Sequence, residues 1–216
     1  MTQRDLWRAI QLWAGCAADG IPGPVTAAAI VAKAGIELPE PEVGARRPIA
    51  WGVKVSQVFR DRVWWIADDL GFDPDDLMSC IAWESGRTFS PNVVNMAGSG
   101  ATGLIQFMPA TARGLGTTTA ALAQMSAEDQ LNWVYKYFEP WRGRLHTLSD
   151  LYMAILWPKA VGKPEHYVLW NRSRMPTTYR QNAGLDVNRD GAITKAECTA
   201  KLYAVKSQGL KPENMP

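Results

Sequence analysis

The sequence predicts a mostly α-helical protein, and three observations carry that prediction. Apolar residues recur at helical spacing through much of the chain, residue types that start helices stand just before those rows, and no run alternates convincingly with period two. Residues 6–14 (LWRAIQLWA) are apolar but interrupted by Arg8 and Gln11, the pattern of an amphipathic helix. A turn follows at Asp19-Gly20-Ile21-Pro22-Gly23-Pro24, and a second helix starts near Thr26. Residues 39–50 (PEPEVGARRPIA) have no helical period and read as a linker between a small helical unit, 1–38, and a main domain, 51–216. In the main domain Val55, Phe59, Arg62, Ile66 and Asp69 mark one row of a helix over 53–70, widened by Val58, Val63, Trp65 and Leu70. Asp73-Pro74-Asp75-Asp76 combines a capping Asp, Pro at the first helical position and acids facing the helix dipole. Ser126-Ala127-Glu128-Asp129 starts another helix, carrying Leu131, Val134, Tyr135 and Phe138. A further helix over 148–156 stops at Pro158, and the last runs over 195–205.

Composition excludes several classes. At 216 residues with 47% hydrophobic and 20% charged residues, the chain is neither disordered nor fibrous. A net charge of +2 supplies no field that would demand nucleic acid as partner. No apolar run approaches the length of a membrane span. Cys16, Cys80 and Cys198 are odd in number and far apart, which argues against a disulfide framework, and His146 and His166 offer no zinc spacing. Ten tryptophans fit a large aromatic core or sugar-stacking platforms. Trp64, Trp65 and Trp83 read as core, Cys80 as a buried small hydrophobe and His166 as a surface histidine. The N-terminus lacks the apolar segment and cleavage site of a secretory leader.

The segment 77–116 carries the chemistry. Leu77, Cys80, Ile81 and Glu84 fall on one helix face, so Glu84 ends an apolar stripe. A carboxyl there is desolvated, which raises its pKa toward that of a general acid working near neutrality. The plainer alternative is a Glu that snorkels to solvent or pairs with Arg87. Residues 85–127 then contain no Asp or Glu. The stretch Asn92-Val93-Val94-Asn95-Met96-Ala97-Gly98-Ser99-Gly100 reads either as a neutral polar loop lining a cleft for a hydroxyl-rich ligand or as an ordinary surface loop.

Glu84-Ser85-Gly86, Ser90-Pro91-Asn92 and Gly98-Ser99-Gly100-Ala101-Thr102-Gly103-Leu104-Ile105-Gln106-Phe107-Met108-Pro109 together resemble the soluble lytic transglycosylases over roughly 70–182. The resemblance implies a lysozyme-like catalytic domain with Glu84 as sole acid/base. It implies a sugar cleft lined by Ser85, Ser99, Gly103, Leu104, Gln106 and Phe107. The family's Ala-Tyr-Asn element is not present as such; Leu151-Tyr152-Met153-Ala154 stands nearest, with Tyr152 supplying a phenol to the catalytic carboxyl. Ordinary glycosidases flank the bond with two carboxyls. Here Asp73, Asp75 and Asp76 belong to the far end of Glu84's own helix, while a distant acid such as Asp150 stays open as a second carboxyl. The implied reaction cleaves the bond between N-acetylmuramic acid and N-acetylglucosamine and leaves 1,6-anhydro ends. A goose-type lysozyme hydrolysing the same bond, or a non-catalytic, calcium-stabilised peptidoglycan-binding protein, is the alternative.

Residues 186–197 match a twelve-residue EF-hand loop at each diagnostic position. Asp186, Asn188, Asp190 and Glu197 would bind Ca2+ through side chains, Ala192 through its carbonyl and Thr194 through water, with Ile193 in the core. The alternative is a polar turn capping the helix at 195–205. A single hand suggests structural Ca2+, and no organic cofactor is expected.

The N-terminal unit is similar to the small helical peptidoglycan-binding domain through Gln11, Asp19, Gly20 and Thr26, which makes those residues wall-binding candidates; an αα-hairpin that only packs on the main domain is the alternative. Trp7 and Trp13, six apart, share no helix face. A wall-binding unit joined to a muralytic domain without a leader resembles modular bacteriophage endolysins. That implies a monomer whose partner is bacterial peptidoglycan, with no nucleic acid and no stable membrane insertion. It would accumulate in the host cytoplasm and act on the wall after a separate membrane lesion. A tail-borne muralytic protein or a bacterial enzyme exported differently would share these features.

Overall fold

The computed structural model describes residues 3–16, 18, 20, 26, 29–30, 33–34, 46–95 and 98–216. Helix α1 (Gln3–Ala14) carries the first amphipathic stretch. Its Gln11 is buried, donating from Nε2 to Thr26 Oγ1 at 2.9 Å and accepting from the Gly20 N–H at 2.7 Å through Oε1. Leu12 and Trp13 on the same helix are exposed, and Trp7 is half-buried. Residues 26, 29–30 and 33–34 are helical, while Asp19 and 39–45 lie outside the described residues.

Residues 46–50 do not behave as a linker. Ile49 and Ala50 are buried in the core, Arg46 pairs with Asp68 at 3.2 Å, and Arg47 pairs with Asp73 and Asp75. The expected boundary therefore runs too far, because apolar Ile49 and the two guanidinium groups find partners on the main domain. A 3-10 turn, Gly52–Lys54, precedes helix α2 (Gln57–Leu70), which starts four residues later than expected because the Ser56 side chain caps it from the Phe59 N–H. Phe59, Val63, Ile66, Ala67 and Leu70 face inward, whereas Val58 is 46% exposed and does not widen the apolar face.

Helix α3 (Pro74–Glu84) begins where the sequence places it, with Asp73 accepting from the Asp75 N–H at 2.9 Å. Its acidic first turn also anchors other segments. Asp75 accepts from the Ala50 N–H, and Lys206 reaches Asp73 and Asp76. Burial raises the Asp76 pKa, opposed by the Lys206 ammonium, while Asp73, more open to solvent and fixed by its cap bond and Lys206, is lowered.

Short helices α4 (Pro109–Leu115) and α5 (Thr119–Ala123) lead to α6 (Ala127–Phe138), capped by Ser126, and then to α7 (Leu148–Leu156), capped by Thr147. The sequence shows no period-two run, yet two short strands form: β1 (Val168–Asn171) pairs antiparallel with β2 (Ala192–Thr194). They are four and three residues long, too short to display an alternation. Between them lies helix α8 (Pro176–Asn182). Helix α9 (Lys195–Gly209) opens with a capping box between Thr194 and Glu197 and packs on both α3 and α7. The core joins residues of all these main-domain helices, with Trp64, Trp65 and Trp83 half-buried against it and Cys80 fully buried. His166 is exposed. Among the described residues no helix is long and apolar enough to cross a membrane.

Candidate active site

Glu84 is the last residue of α3, one turn beyond Cys80 and Ile81, which are fully buried. The helix ends there: the Ser85 N–H still bonds to the Ile81 carbonyl, and the backbone then turns left-handed at Gly86, Arg87 and Phe89. Gly86 takes that conformation freely, whereas Arg87 and Phe89 store strain of order 1 kcal/mol each there and persist where surrounding contacts demand it. The demand here is visible. The Arg87 N–H bonds back to the Ala82 carbonyl, and Phe89 is buried with its ring edge-on to Phe59. The turn fixes the level at which the Glu84 carboxyl leaves the core.

That carboxyl is half-buried, and burial raises its pKa from 4.5 to about 7. The alternative of an ion pair with Arg87 is not realised. Among the described residues Glu84 makes no hydrogen bond or ion pair, and the Arg87 guanidinium sits 5.8 Å over the Trp51 ring. Its electrostatic neighbours are uncharged. Burial pushes the Tyr137 phenol up to about 12 with help from the Glu84 charge, and the same two causes push Tyr152 higher still. Among the described residues no other carboxylate contributes to the Glu84 shift.

Asp150 is not a second carboxyl for the site. It is buried at the start of α7, with Oδ1 accepting from Lys195 Nζ at 2.6 Å and from the Gly162 N–H, and Oδ2 accepting from Thr147 Oγ1. Burial works against this charge, but Lys195 and the Gly162 N–H hold the Asp150 pKa below its ordinary value. A carboxylate tied down this way is not available to a substrate.

The loop after Glu84 is built from the inside. Thr102 forms backbone bridges to both Val94 and Phe107, and the Gly103 N–H bonds to the Val93 carbonyl at 2.8 Å. Gly103 has φ +88, and a Cβ added there would stand 2.3 Å from Gln130 Oε1, so both conformation and space require glycine. Gln130 is fully buried on α6: Oε1 accepts from the Leu104 N–H at 2.6 Å, and Nε2 donates to the Pro91 and Leu122 carbonyls at 2.9 Å. Gln106 is half-buried with φ +51, its amide donating to the Val93 and Gly103 carbonyls. Phe107 packs edge-on against Tyr137.

The expected cleft residues therefore occupy different layers. Gly103, Leu104 and Phe107 are buried behind the loop and shape it from within. Ser85 is buried too, donating to the Ile81 carbonyl and accepting from the Phe89 N–H, so its hydroxyl holds the turn after the acid and does not line a cleft. Tyr152 is buried beside Glu84, whereas Ser99 and Asn92 are exposed on the polar outer side. Two residues were not picked out as site residues. Gln130 shares a row with Val134 and Phe138, and a polar residue in an apolar row is the signal that could have found it. Tyr137 is adjacent in sequence to core Phe138, and nothing local distinguishes it.

The loop at 186–197 folds as a compact turn. Asp186 Oδ2 accepts from Tyr179 Oη at 2.5 Å and from the Gly191 N–H at 3.0 Å, and chiefly the phenol lowers the Asp186 pKa. Its other oxygen, Oδ1, is buried without a partner. Asn188 and Asp190 are exposed, and Ile193 is fully buried. Glu197 accepts from Thr194 through the capping box and from the Val187 N–H. Among the described residues no three His, Cys, Asp or Glu side chains are gathered as a metal-binding group. The all-oxygen donor set and the orphaned Asp186 oxygen nevertheless suit a hard cation.

Comparison with known proteins adds the decisive observation. Residues 66–142 match the transglycosylase SLT domain. That family consists of lytic transglycosylases, which cleave peptidoglycan, so the chain carries an enzyme domain that acts on bacterial cell wall. The SLT match begins within α2 and ends just beyond α6; it contains Glu84, the Gly-rich loop, Gln130 and Tyr137 and stops before Tyr152 and the 186–197 loop. The mostly α-helical architecture agrees with a lysozyme-like SLT domain. No curated protein matches the chain.

Proposed function

We propose that the chain cleaves the β-1,4 bond between N-acetylmuramic acid and N-acetylglucosamine with Glu84 as its single acid and base. One observation carries this reading: the carboxyl at the end of α3 is half-buried, burial raises its pKa to about 7, and among the described residues it has neither an ion-pair partner nor a second carboxylate perturbing it. Protonated Glu84 gives its proton to the glycosidic oxygen as the C1–O bond breaks, and the bonding pair leaves with that oxygen. The substrate's own N-acetyl carbonyl steadies the cation at C1. Glu84, now a carboxylate, takes the proton of the C6 hydroxyl while its oxygen bonds to C1, closing a 1,6-anhydro ring. Water in place of the C6 hydroxyl would give hydrolysis instead.

Mass spectrometry of purified sacculi digested by wild type and Glu84→Gln tests the proposal. Anhydro-muramyl products from wild type and at least about a hundredfold less from the variant are expected, since general acid catalysis contributes at that scale. Purely reducing ends would overturn the transglycosylase outcome, and an active variant would overturn Glu84.

Two further roles belong to this reading. Asp186, Asn188, Asp190, the Ala192 carbonyl, Thr194 and Glu197 would hold a structural Ca2+; the orphaned Asp186 Oδ1 supports it. Bound there, the cation would brace the β1–β2 pair against α9. The arrangement of a muralytic domain after a unit that is similar to a peptidoglycan-binding domain supports an endolysin, monomeric, made in the host cytoplasm and acting on the wall. Within that unit Gln11, Gly20 and Thr26 are joined by hydrogen bonds, so their part in wall binding is to hold the shape of the unit.

A further inference from the structure

Trp83 stands one residue before Glu84, and its indole N–H donates to the Tyr152 hydroxyl oxygen at 3.1 Å. An indole nitrogen can only donate, so the direction of this bond is fixed. Tyr152 accepts from Trp83, and its own O–H remains to be given elsewhere. Among the described residues that O–H has no acceptor, and the Glu84 carboxyl has no donor. The two groups are near enough for the Glu84 charge to act on the phenol. We infer that Trp83 is a positioning residue for the reaction: by filling one acceptor lone pair of Tyr152, it holds the phenol with its proton available to the Glu84 carboxylate.

The chemistry gives this arrangement a use. Once Glu84 has surrendered its proton it is a carboxylate at the edge of an apolar stripe, where an anion without a donor is costly. Among the described residues the other groups facing it do not supply a cation. They are the buried Cys80 thiol on its own helix and the Tyr137 phenol of α6, while the Cys198 thiol of α9 lies near Tyr152. Lys206 of α9 acts on Cys80 but is itself paired with Asp73 and Asp76. A neutral O–H held in place can steady the carboxylate without permanently fixing its charge, and so leave it able to act as acid first and base second. The Trp83 ring is half-buried beside a pocket of about 160 Å3 lined by Ala82, Gly86, Arg87 and Val205, and its N–H is committed to Tyr152.

This inference rests on Glu84 being the acid/base, and its test keeps the two apart. The rate of wall digestion is followed against pH for wild type, Trp83→Phe, Tyr152→Phe and the double variant. Activity should fall as Glu84 loses its proton, so the alkaline limb reports its pKa. Losing the phenol O–H should move that limb up by about half a pH unit or more, because the carboxylate loses its donor. Trp83→Phe should move it in the same direction, and the double variant should match Tyr152→Phe alone, since Trp83 acts through Tyr152. An unmoved limb in Trp83→Phe, whatever happens to rate or melting temperature, would overturn the inference, as would shifts that simply add. If the Phe variant does not fold by circular dichroism, Trp83→Leu carries the same test. Full activity of Glu84→Gln would sink the underlying reading instead.

Discussion

Glu84 reached its position through a helical spacing that can be counted, and its environment has a thermodynamic sign that can be measured. A carboxyl whose pKa rises from 4.5 to about 7 on folding binds its proton more tightly in the folded chain. Stability from this group is present at low pH and is lost as pH rises between those two values. The shift corresponds to roughly 2–3 kcal/mol, taking about 1.4 kcal/mol per unit and some relief by solvent. Glu84→Gln should therefore stabilise the protein by about that much at pH 8 and leave it little changed at pH 4. Urea unfolding at the two pH values checks this; equal effects at both would mean that the carboxyl is not desolvated. The stripe that ends in Glu84 was legible because Leu77, Cys80 and Ile81 announce a buried face. Its freedom from Arg87 was not, because sequence proximity cannot show that the backbone turns left-handed at Gly86 and Arg87 and carries the guanidinium toward Trp51.

Among the elements, the Gly-rich loop shows most clearly what a sequence hides. The Gly-rich stretch from Gly98 to Phe107 is conspicuous, and it invites the reading that its residues face a ligand. In the fold Gly103, Leu104 and Phe107 turn inward, and α6 holds the loop through Gln130, which bonds to Leu104 and to Pro91 ahead of the loop, and through the Phe107–Tyr137 ring contact. The Gln130 bonds to Leu104 and Pro91 span 26 and 39 residues, and no local pattern encodes them. Gln130→Leu would strand the Leu104 N–H and the Pro91 carbonyl, while the Leu122 carbonyl keeps the Met125 N–H, and should cost about 2–3 kcal/mol in urea unfolding at roughly 1 kcal/mol or more per lost partner. Gly103→Ala should cost a similar amount, about 3 kcal/mol, from the left-handed φ and the collision with Gln130. A loss below about 1 kcal/mol in either would show that the loop is not held in this way. The strands β1 and β2 are hidden for a related reason: they are four and three residues long, too short to alternate, and they pair across the segment that carries α8.

Across the whole molecule the 186–197 loop is tied to α7 by a buried pair. Lys195, directly after β2, lies 1% exposed with its ammonium on Asp150 at the head of α7, the helix that carries Tyr152. Lys195→Met would leave Asp150 buried and uncompensated, and should destabilise by about 3 kcal/mol or more, measured by denaturant. Changing both partners to apolar residues should recover much of the loss, and a double variant no better than the single would contradict this account of the pair. Calcium acts on the same scale. If Ca2+ completes the shell around Asp186 Oδ1, adding it should raise the melting temperature and chelation should lower it, with Asp186→Ala insensitive to both; a midpoint that ignores calcium would remove the ion from the account. The sequence displayed the loop in full because its ligand positions are consecutive, whereas Lys195 and Asp150, 45 residues apart, could meet only in the fold.

The account depends on one carboxyl being kept neutral near physiological pH by its surroundings. Titration of the Glu84 carboxyl by 13C NMR, assigned against Glu84→Gln, reads that property directly. A midpoint near pH 7 is the predicted result. A midpoint near 4.5, the ordinary value for an open glutamate, would contradict the acid role assigned to Glu84 and the mechanism built on it.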